Sequence, residues 1–360
     1  MRIIHVVASA FPGNIKGDET HVLYLAGKQL ANGEDPVVLT DRDGLAARAF
    51  KQEGIPVSVI DDLVPGGRSV ATTTALGARL REFNTEILHC HEVPLAPAAV
   101  RAANTAGIPC VTTLHVGSGE DLHSLAAANS SGRKLAVIAV ARKQYDAMGR
   151  VGLSGIEPHY VPLGTKVVAA RHQPASRAAK PSLILVGALD FRKGIDLAIL
   201  AMHELRRKRG THCPVLNIYG WGPLGRYFVE MTKVLQLDEL IKFHGVKLGV
   251  LENCARSDVL IVPSRHETGP LVVVEAMSRG MPIVAADVGN VREMLPNRQY
   301  GRIVLADSIT GLSDAIDSIL RDVASGQFNP SAVINRHRSE YSAEKMAEQV
   351  AVVYQSALRS

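Results

Sequence analysis

The sequence predicts an α/β protein with two Rossmann-like, doubly wound domains that face each other across a cleft. Short β-branched runs alternate with helical patterns along the chain, as expected of βαβ units in parallel sheets. At 360 residues the chain is also long for a single hydrophobic core, which favours two domains of ordinary size. The segment 166–181 has the composition of a linker. We therefore expect an N-terminal domain over 1–165, a C-terminal domain over 182–340 and a final helical segment over 341–360.

The first half opens with a strand and a helix, as a Rossmann-like domain should. An apolar run over 2–8 predicts the strand, and a helix is expected over about 20–32, where the apolar residues share one face. The run 36–40 follows as the next strand. Two later apolar runs, 86–91 and 109–115, each end in a histidine. These runs predict further strands whose ends carry polar side chains.

The second half repeats this arrangement. The run 183–187 predicts its first strand, which is followed by Arg-Lys-Gly at 192–194 and a long amphipathic helical pattern. Further strand ends are expected at 216–223 and 243–246. The run 258–262 is short, apolar and β-branched, as a buried parallel strand should be. The basic cluster at the end of the long helix is explained by the helix dipole, which favours cations at a C-terminus.

The most informative segment follows that last strand and carries two carboxylates eight positions apart, Glu267 and Glu275. Thr268, Gly269 and Pro270 lie between them and predict the cap, the turn and the first position of a helix. This places the first glutamate in the loop and the second on the helix. A glycine and a proline at the far end of the pattern predict where the helix stops.

The start of this helix is suited to a diphosphate. Free N–H groups near Gly269 and Leu271 would open a helix whose N-terminus is positive. Glu275 would sit about 7.5 Å beyond Pro270 at ~1.5 Å per residue, roughly the separation of a pyrophosphate from its ribose. A carboxylate there can accept hydrogen bonds from vicinal hydroxyls. The segment therefore predicts a site that holds a sugar and a nucleotide together.

This Glu-x7-Glu pattern resembles the retaining glycosyltransferases of family 4, which have the GT-B fold. The glycine two residues after Glu267 and the Glu-Ala-Met beginning at Glu275 are part of the resemblance, as are the flanking segments 262–264 and 280–284. For two glutamates alone, an ordinary loop carboxylate and a solvated helix face would be the better interpretation. The resemblance extends in order over nearly the whole chain. It implies that the final helix, about 342–358, packs against the N-terminal domain.

The resemblance also implies roles for individual residues. Glu267 would contact the donor sugar and act in catalysis, Glu275 would bind the ribose, and Lys193 would neutralise donor phosphate oxygens. His115 would reach the donor sugar from the N-terminal domain as a second catalytic residue, although an isolated histidine at a strand end is more often structural. The remaining donor-binding positions are Lys16, Gly17, Arg192, Val246, Thr268, Gly269, Pro270 and Leu271.

The chain departs from the family pattern at two places. Ala188 stands where the family usually has an arginine that contacts phosphate. Arg192, Arg265 or Lys16 are candidates to supply that charge; otherwise donor affinity should be lower or a divalent cation should help. Many family members also have two adjacent glycines where this chain has Lys16 and Gly17, so a side chain blocks the closest approach at one of them.

Metal and cofactor sites are not expected from the sequence. His89 and His91 form a His-x-His pair, but no third ligand is apparent beside them. No tightly bound cofactor is expected, the nucleotide-sugar being a substrate, and a divalent cation is not expected to be required. The four cysteines, Cys90, Cys110, Cys213 and Cys254, lack metal-ligand spacing.

Composition restricts partners and location. The net charge of +5 and the pI near 9.0 fit anionic lipid, a polyphosphate-linked acceptor or simple solubility. Few aromatic residues and no nucleic-acid motif argue against nucleic-acid binding. The N-terminus has no signal-peptide pattern, and no apolar stretch approaches the ~20 residues of a membrane span. We expect a cytoplasmic protein with free thiols, with peripheral contact at the inner membrane face left open.

The resemblance thus implies a retaining hexosyltransferase that moves a sugar from a nucleotide-sugar, UDP being favoured over GDP, to a glycan, glycolipid or secondary-metabolite acceptor. The loops 62–72 and 115–132 are the expected acceptor positions. One alternative is a non-catalytic paralogue that binds nucleotide-sugar or glycan, which Ala188 and the altered glycine loop support. The other is a GT-B phosphorylase or nucleotide-sugar epimerase, against which the Glu-x7-Glu segment argues.

Overall fold

A computed structural model describes residues 1–8, 15–61, 63, 70–115, 119–167, 181–255 and 258–360. The chain divides into two compact units, one formed by Met1–Thr165 with Tyr341–Ser360 and the other by Lys166–Glu340. Most of the expected linker 166–181 lies outside the described residues. So do 62, 64–69 and 116–118, which belong to the loops expected to hold the acceptor.

The strands of the described part of the chain are short. They are β1 (Arg2–Val6), β2 (Asp35–Thr40), β3 (Val57–Val59), β4 (Ile87–Cys90), β5 (Cys110–Leu114), β6 (Leu135–Ala139), β7 (Ile156–Tyr160), β8 (Leu183–Val186), β9 (Leu216–Tyr219), β10 (Ile241–Phe243), β11 (Val259–Val262), β12 (Ile283–Ala286) and β13 (Arg302–Val304).

Helices connect these strands. They are α1 (Gly17–Ala31), α2 (Leu45–Gln52), α3 (Val70–Glu82), α4 (Ala96–Ala106), α5 (Gly119–Ala128), α6 (Arg142–Val151), α7 (Ile195–Arg209), α8 (Gly225–Val234), α9 (Leu271–Arg279), α10 (Val291–Met294), α11 (Ile309–Ala324), α12 (Pro330–Glu340) and α13 (Ala343–Arg359). Single 3₁₀ turns lie at Phe191–Lys193, Gly210–His212 and Val250–Asn253.

Each unit is built on one parallel sheet. The first sheet has the order β3-β2-β1-β4-β5-β6-β7, and the second has the order β10-β9-β8-β11-β12-β13. All the strand pairs in the described part of the chain are parallel. Strand order reverses between β1 and β4 in the first sheet and between β8 and β11 in the second, which is the doubly wound topology. The predicted α/β class with two Rossmann-like domains is confirmed.

The central strands read as apolar runs because both faces of each sheet are covered by helices. All four residues of β11 are buried, and so are all four of β12. In the second unit, apolar side chains of α7 and α11 pack with the strands into one core that includes Ile195, Leu205 and Ile316. This rigid layer fixes where the strand ends lie, and with them the side chains that follow each strand.

The C-terminal helix α13 belongs to the first unit. Ser342 caps it, its hydroxyl accepting from the backbone N–H of Lys345 at 3.2 Å. Its buried face, including Val350 and Tyr354, packs with Ile3 of β1 and other apolar residues in one cluster. The chain therefore returns to the first sheet after completing the second.

Two helix starts differ from those predicted. Helix α1 begins at Gly17, three residues early, because Glu19 accepts from the backbone N–H of Lys16 at 2.7 Å and its acidic side chain suits the helix N-terminus. Helix α9 begins at Leu271, so the prediction that Pro270 is the first helical residue was wrong. With ψ of 99°, Pro270 is the N-cap, whose carbonyl accepts from Val273 at 2.9 Å. The helix ends before Gly280 in the left-handed region, as predicted.

Candidate active site

The second sheet brings Lys193 and Glu267 together at its topological switch point. Lys193 ends the 3₁₀ turn after β8, and Glu267 follows β11, the strand next to β8. Because parallel strands present their carboxyl ends at one edge, the loops after these two strands meet there. Ligands of doubly wound folds bind outside the strand ends at this point. The pair separated by 74 positions in sequence therefore occupies the place where such a fold binds its ligand.

An ion pair joins the two side chains directly. Lys193 Nζ lies 2.6 Å from Glu267 Oε1, with side-chain exposures of 29% and 12%. The hydroxyl of Ser264 donates to the same carboxylate oxygen at 2.9 Å. The lysine stem also packs over Gly187, where a Cβ would lie 3.4 Å from it. Partial burial strengthens this charge-assisted contact relative to an exposed pair.

The turn that carries Lys193 is held by its neighbours. Asp190 accepts from the backbone N–H of Lys193 at 3.3 Å and so caps the turn. Gly194 then adopts a φ of +65°, and a Cβ there would lie 2.1 Å from the carbonyl oxygen of Pro263. Any side chain at 194 would separate the loop after β8 from the end of β11. A glycine is therefore required after Lys193 for steric reasons.

A loop after β12 supports the backbone of Glu267. Gly289 has a φ of +56°, and a Cβ there would lie 2.3 Å from the carbonyl oxygen of Thr268. The backbone N–H of Asn290 donates to that same oxygen at 3.0 Å. The sequence analysis missed this contribution. A glycine in the loop just after a buried strand was the signal that could have revealed it.

Helix α9 places Glu275 on its accessible face. Residues 273, 274, 276 and 277 are buried, whereas 272, 275 and 279 are partly exposed at helical spacing. The apolar face of α9 fixes the helix against the sheet. Glu275 therefore lies one turn along from the helix N-terminus and accessible to solvent. Residues 268–270 form the loop between Glu267 and this N-terminus.

Two of the three cations considered as replacements for the arginine missing at 188, Arg265 and Arg192, differ in their surroundings. Arg265 binds Asp196 through two hydrogen bonds of 2.8 and 2.7 Å and Asp307 through a third of 2.6 Å. These carboxylates raise the pKa of Arg265 and neutralise its charge locally. Arg192 is 67% exposed and pairs with Asp190 at 2.7 Å. Arg265 is thus a structural cation, and Arg192 remains accessible at the carboxyl edge of the sheet.

Aromatic side chains cluster at the carboxyl ends of β9 and β10, at the same edge of the second sheet. The rings of Tyr219 and His244 stack with centroids 4.6 Å apart, and Asn217 orients His244 through a 2.8 Å hydrogen bond. Trp221 is 57% exposed, and Val246 is partly exposed in the neighbouring loop. The sequence analysis singled out Val246 but not the aromatic residues beside it.

Comparison with known proteins identifies the family. Residues 16–164 match the model of the glycosyl transferase 4-like domain, and residues 169–337 match that of the glycosyl transferases group 1. The chain belongs to glycosyltransferase family 4. The activity of this family is glycosyl transfer, as the resemblance implied.

Relatives of this family 4 glycosyltransferase align over most of its length. Glycogen synthase of Mycobacterium tuberculosis is 26% identical, the match covering 100% of this chain and 95% of the relative. One chain of the human phosphatidylinositol N-acetylglucosaminyltransferase is 25% identical over 98% of this chain and 75% of its own length. The crystal structure of Anabaena HepE in complex with UDP-glucose has a TM-score of 0.81 and 19% identity. The match covers 99% of this chain and 100% of that chain. This last likeness shows the GT-B fold.

The first unit of the glycosyltransferase contains Lys16 and Gly17 at the N-terminus of α1. Lys16 Nζ lies 3.5 Å from Glu92, whose side chain is 15% exposed, and 3.3 Å from the carbonyl oxygen of Ala8. Burial and the nearby Asp18 raise the pKa of Glu92 to about 8, which Lys16 opposes. The ammonium group of Lys16 therefore has polar partners within the first unit. At Gly17 a Cβ would meet nothing within 4 Å among the described residues.

His115 lies at the end of β5 within a group of five histidines. The others are His5 of β1, His21 of α1, and His89 and His91 in and after β4. In the sequence, a metal at His89 and His91 was not expected because no third ligand was apparent. That reason was wrong, because the first sheet and α1 bring further imidazoles beside this pair. Tyr354 also contacts this group, through a hydrogen bond to His89.

Burial determines the charge of these imidazoles. It lowers the pKa of His5 to about 4 and takes the pKa values of His21, His89 and His91 well below 6.5. The pKa of His115 is lowered for the same reason, against a smaller opposing effect of Asp18. All five are therefore neutral at pH 7, when an imidazole nitrogen can bind a proton donor or a metal.

Proposed function

We propose that this family 4 glycosyltransferase transfers a hexosyl group from a nucleotide-sugar, with UDP favoured, and retains the anomeric configuration. The observation that carries the proposal is the Lys193–Glu267 pair at the switch point, directly before the N-terminus of α9. These groups match the parts of a sugar diphosphate. The cation and the helix N-terminus suit the negative diphosphate and its linkage to the sugar, and the carboxylate suits the sugar hydroxyls.

The donor would rearrange the ion pair on binding. Diphosphate oxygens would compete for Lys193 Nζ, since they offer more negative charge than one carboxylate. Glu267 would then keep its bond to Ser264 Oγ and accept from hydroxyls of the sugar. As the bond from the anomeric carbon to the diphosphate breaks, its electron pair passes to the phosphate oxygen. Lys193 and the N–H groups at the start of α9 would stabilise that charge, a contribution of about 3 kcal/mol for one such donor.

The nucleoside would occupy the remainder of the carboxyl edge. Glu275 is assigned to the ribose because it lies on the accessible face of α9 one turn from the phosphates. The aromatic residues after β9 and β10, with the stacked Tyr219–His244 pair and the exposed Trp221, offer a face for the base. Val246 belongs to the same region. A divalent cation is not required here, because lysine and the helix N-terminus already supply positive charge.

His115 and the N-terminal loop are assigned to the sugar and acceptor side. His115 would contact the donor sugar, and Gly17 would let the backbone of α1 approach the substrates. The presence of UDP-glucose in the HepE structure supports UDP as the nucleotide. The names of the mycobacterial and human relatives support a glycan or a lipid-linked acceptor. The free cysteines fit a reducing cytoplasm.

A non-catalytic paralogue is the second candidate. Its support is Ala188 together with the engagement of Arg265 by Asp196 and Asp307, which leaves fewer charges for the donor phosphates. The retained Lys193, Glu267 and Glu275 favour activity. A paralogue that binds nucleotide-sugar predicts the same donor binding as the enzyme and differs only in turnover.

Purified protein should be screened by calorimetry and by hydrolysis against UDP-, GDP-, ADP- and TDP-sugars, with and without magnesium. We expect saturable binding of one donor, slow hydrolysis, little effect of magnesium, and release of the sugar with its original anomeric configuration by NMR. Binding without hydrolysis, even with glycan and glycolipid acceptors present, would support the non-catalytic paralogue. Binding of no nucleotide-sugar would contradict the proposal.

A further inference from the structure

Three histidines of the first unit present buried nitrogen atoms without partners at one place. These atoms are both ring nitrogens of His21, Nδ1 of His91 and Nε2 of His115, none of which has a hydrogen-bond partner among the described residues. One ring nitrogen from each residue lies within 4.8 Å of one from each of the others. A buried polar atom without a partner is costly, so a group of them calls for a bound water or ion.

The three side chains come from three separate elements. His21 lies in the second turn of α1, while His91 and His115 directly follow the adjacent strands β4 and β5. Ring centroids are 4.8 Å apart for His21 and His115, 5.4 Å for His21 and His91, and 5.9 Å for His91 and His115. Parallel pairing of β4 with β5 fixes two of the rings, and α1 supplies the third.

A hydrogen-bond chain fixes the tautomer of His91. Gln29 Oε1 accepts from His5 Nε2 at 2.7 Å, so His5 Nδ1 has no proton. His5 Nδ1 can then only accept, and His91 Nε2 donates to it at 3.0 Å. His91 Nδ1 therefore carries no proton, and its lone pair points away from His5 and Gln29. The amide nitrogen of Gln29 donates to Tyr354 at 3.4 Å, which is consistent with this orientation of the amide.

We propose that His21, His91 and His115 bind one divalent transition-metal ion, with zinc the best match. Zinc takes neutral imidazole nitrogens, and three protein ligands with one open position is a common set for it. His5 and Gln29 would hold His91 in the ligating tautomer, the usual arrangement around a metal-bound histidine. The ion would join α1 to the ends of β4 and β5.

This inference does not depend on the proposed donor site. The metal would bind His115 through Nε2, which leaves Nδ1 for a sugar hydroxyl. The three histidines belong to one unit, whereas Lys193 and the start of α9 belong to the other. Donor phosphates would therefore still be neutralised without a metal.

The test is zinc binding by the metal-free full chain. Protein treated with a chelator and dialysed should be titrated calorimetrically with zinc and, separately, with magnesium. We expect one zinc per chain, no saturable magnesium binding, and a higher melting temperature with zinc, because a ligand that binds only the folded state stabilises it. Cobalt should give the visible absorption of a four-coordinate site.

Variants locate the site. His115→Asn and His21→Ala should each weaken zinc binding by more than the about 10–100-fold that loss of an outer hydrogen bond costs. Gln29→Leu, which removes the acceptor for His5, should cost that 10–100-fold through His91. His212→Ala is the matched control, because His212 is exposed in the other unit. Circular dichroism should confirm that each variant is folded.

Two results would overturn the inference. One is the absence of saturable zinc binding by the folded wild-type chain, which would leave bound water as the partner of these nitrogens. The other is zinc affinity that is equal in wild type, His115→Asn and His21→Ala, which would place the ion elsewhere.

Discussion

Glu267 and Glu275 look alike in the sequence but have different surroundings. Glu267 lies in a loop and is bound by Lys193 and Ser264, whereas Glu275 lies on the partly exposed face of helix α9. The first environment fixes a carboxylate for chemistry, and the second offers one to a ligand. Their substitution should therefore affect different kinetic constants.

Replacing Glu267 by glutamine should impair turnover more than nucleotide binding. Glutamine keeps the shape but loses the charge that orients the sugar and offsets positive charge near the anomeric carbon. We expect kcat to fall roughly 100-fold, by analogy with loss of one preorganised group, with little change in the dissociation constant for the free nucleotide. Steady-state kinetics and calorimetry on the same preparation would measure both. Glu230→Gln, exposed in the same unit, is the control.

Replacing Glu275 by alanine should chiefly weaken nucleotide binding. A hydrogen bond to a charged group is worth about 1.5–3 kcal/mol, which corresponds to roughly a 10–100-fold weaker dissociation constant. Turnover at saturating donor should change less. Equal losses of affinity and turnover in both glutamate variants would refute the division of roles between them.

At the scale of elements, the loops after β8, β11 and β12 determine the site. The sequence predicted the strands because they are continuous apolar runs. The family resemblance, with their positions after such runs, predicted roles for Lys193 and Glu267. It could not show that Gly194 and Gly289 bring separate backbone segments into contact. That contact depends on strand order, and no local pattern records strand order.

Gly289 provides a test of this packing. In Gly289→Ala the methyl group would meet the Thr268 carbonyl oxygen, 2.3 Å from an ideal Cβ, and displace the loop of Glu267. We expect loss of transfer well beyond the change in stability. Gly326→Ala is the matched control, because Gly326 also has a positive φ but a Cβ there meets nothing within 4 Å among the described residues. Both should lose about 1 kcal/mol to the left-handed conformation. Equal activities in the two variants would contradict the role of Gly289.

At the scale of the whole molecule, the sequence was sufficient for fold class and family but not for side-chain chemistry. Alternating strands and helices predicted two doubly wound domains, and the 267–275 segment predicted the family. The histidine group was missed because its members are far apart, from His5 to His115. Likewise, Arg265 was a candidate phosphate ligand until the structure showed its two carboxylate partners. Partners distant in sequence decide such questions.

The buried histidines make stability depend on pH. In the folded state they stay neutral, while in the unfolded chain each takes a proton below about pH 6.5. The unfolded state then binds more protons, so their stabilising contribution is full above pH 6.5 and falls as the pH drops toward the lowered pKa values. Each can contribute up to about 1.4 kcal/mol per pH unit in that window.

Glu92 acts in the opposite direction. Its pKa is raised from 4.5 to about 8, so the folded state holds an extra proton between these values and gains stability on acidification. The effect of the five histidines on stability outweighs that of the one carboxyl. We therefore expect the melting temperature, followed by circular dichroism, to fall from pH 7 to pH 5. A constant or rising melting temperature over this range would contradict the burial of neutral imidazoles.

The central claim is that Lys193, at the switch point of the second sheet, binds the donor diphosphate. Calorimetric titration of UDP and a UDP-sugar into wild type, Lys193→Ala and Lys233→Ala tests it most directly, since Lys233 is 58% exposed in the same unit. We predict that each ligand binds wild type and Lys233→Ala with the same affinity. In Lys193→Ala, both nucleotide affinity and hydrolysis should be lost. Equal nucleotide affinity in all three proteins would contradict the account.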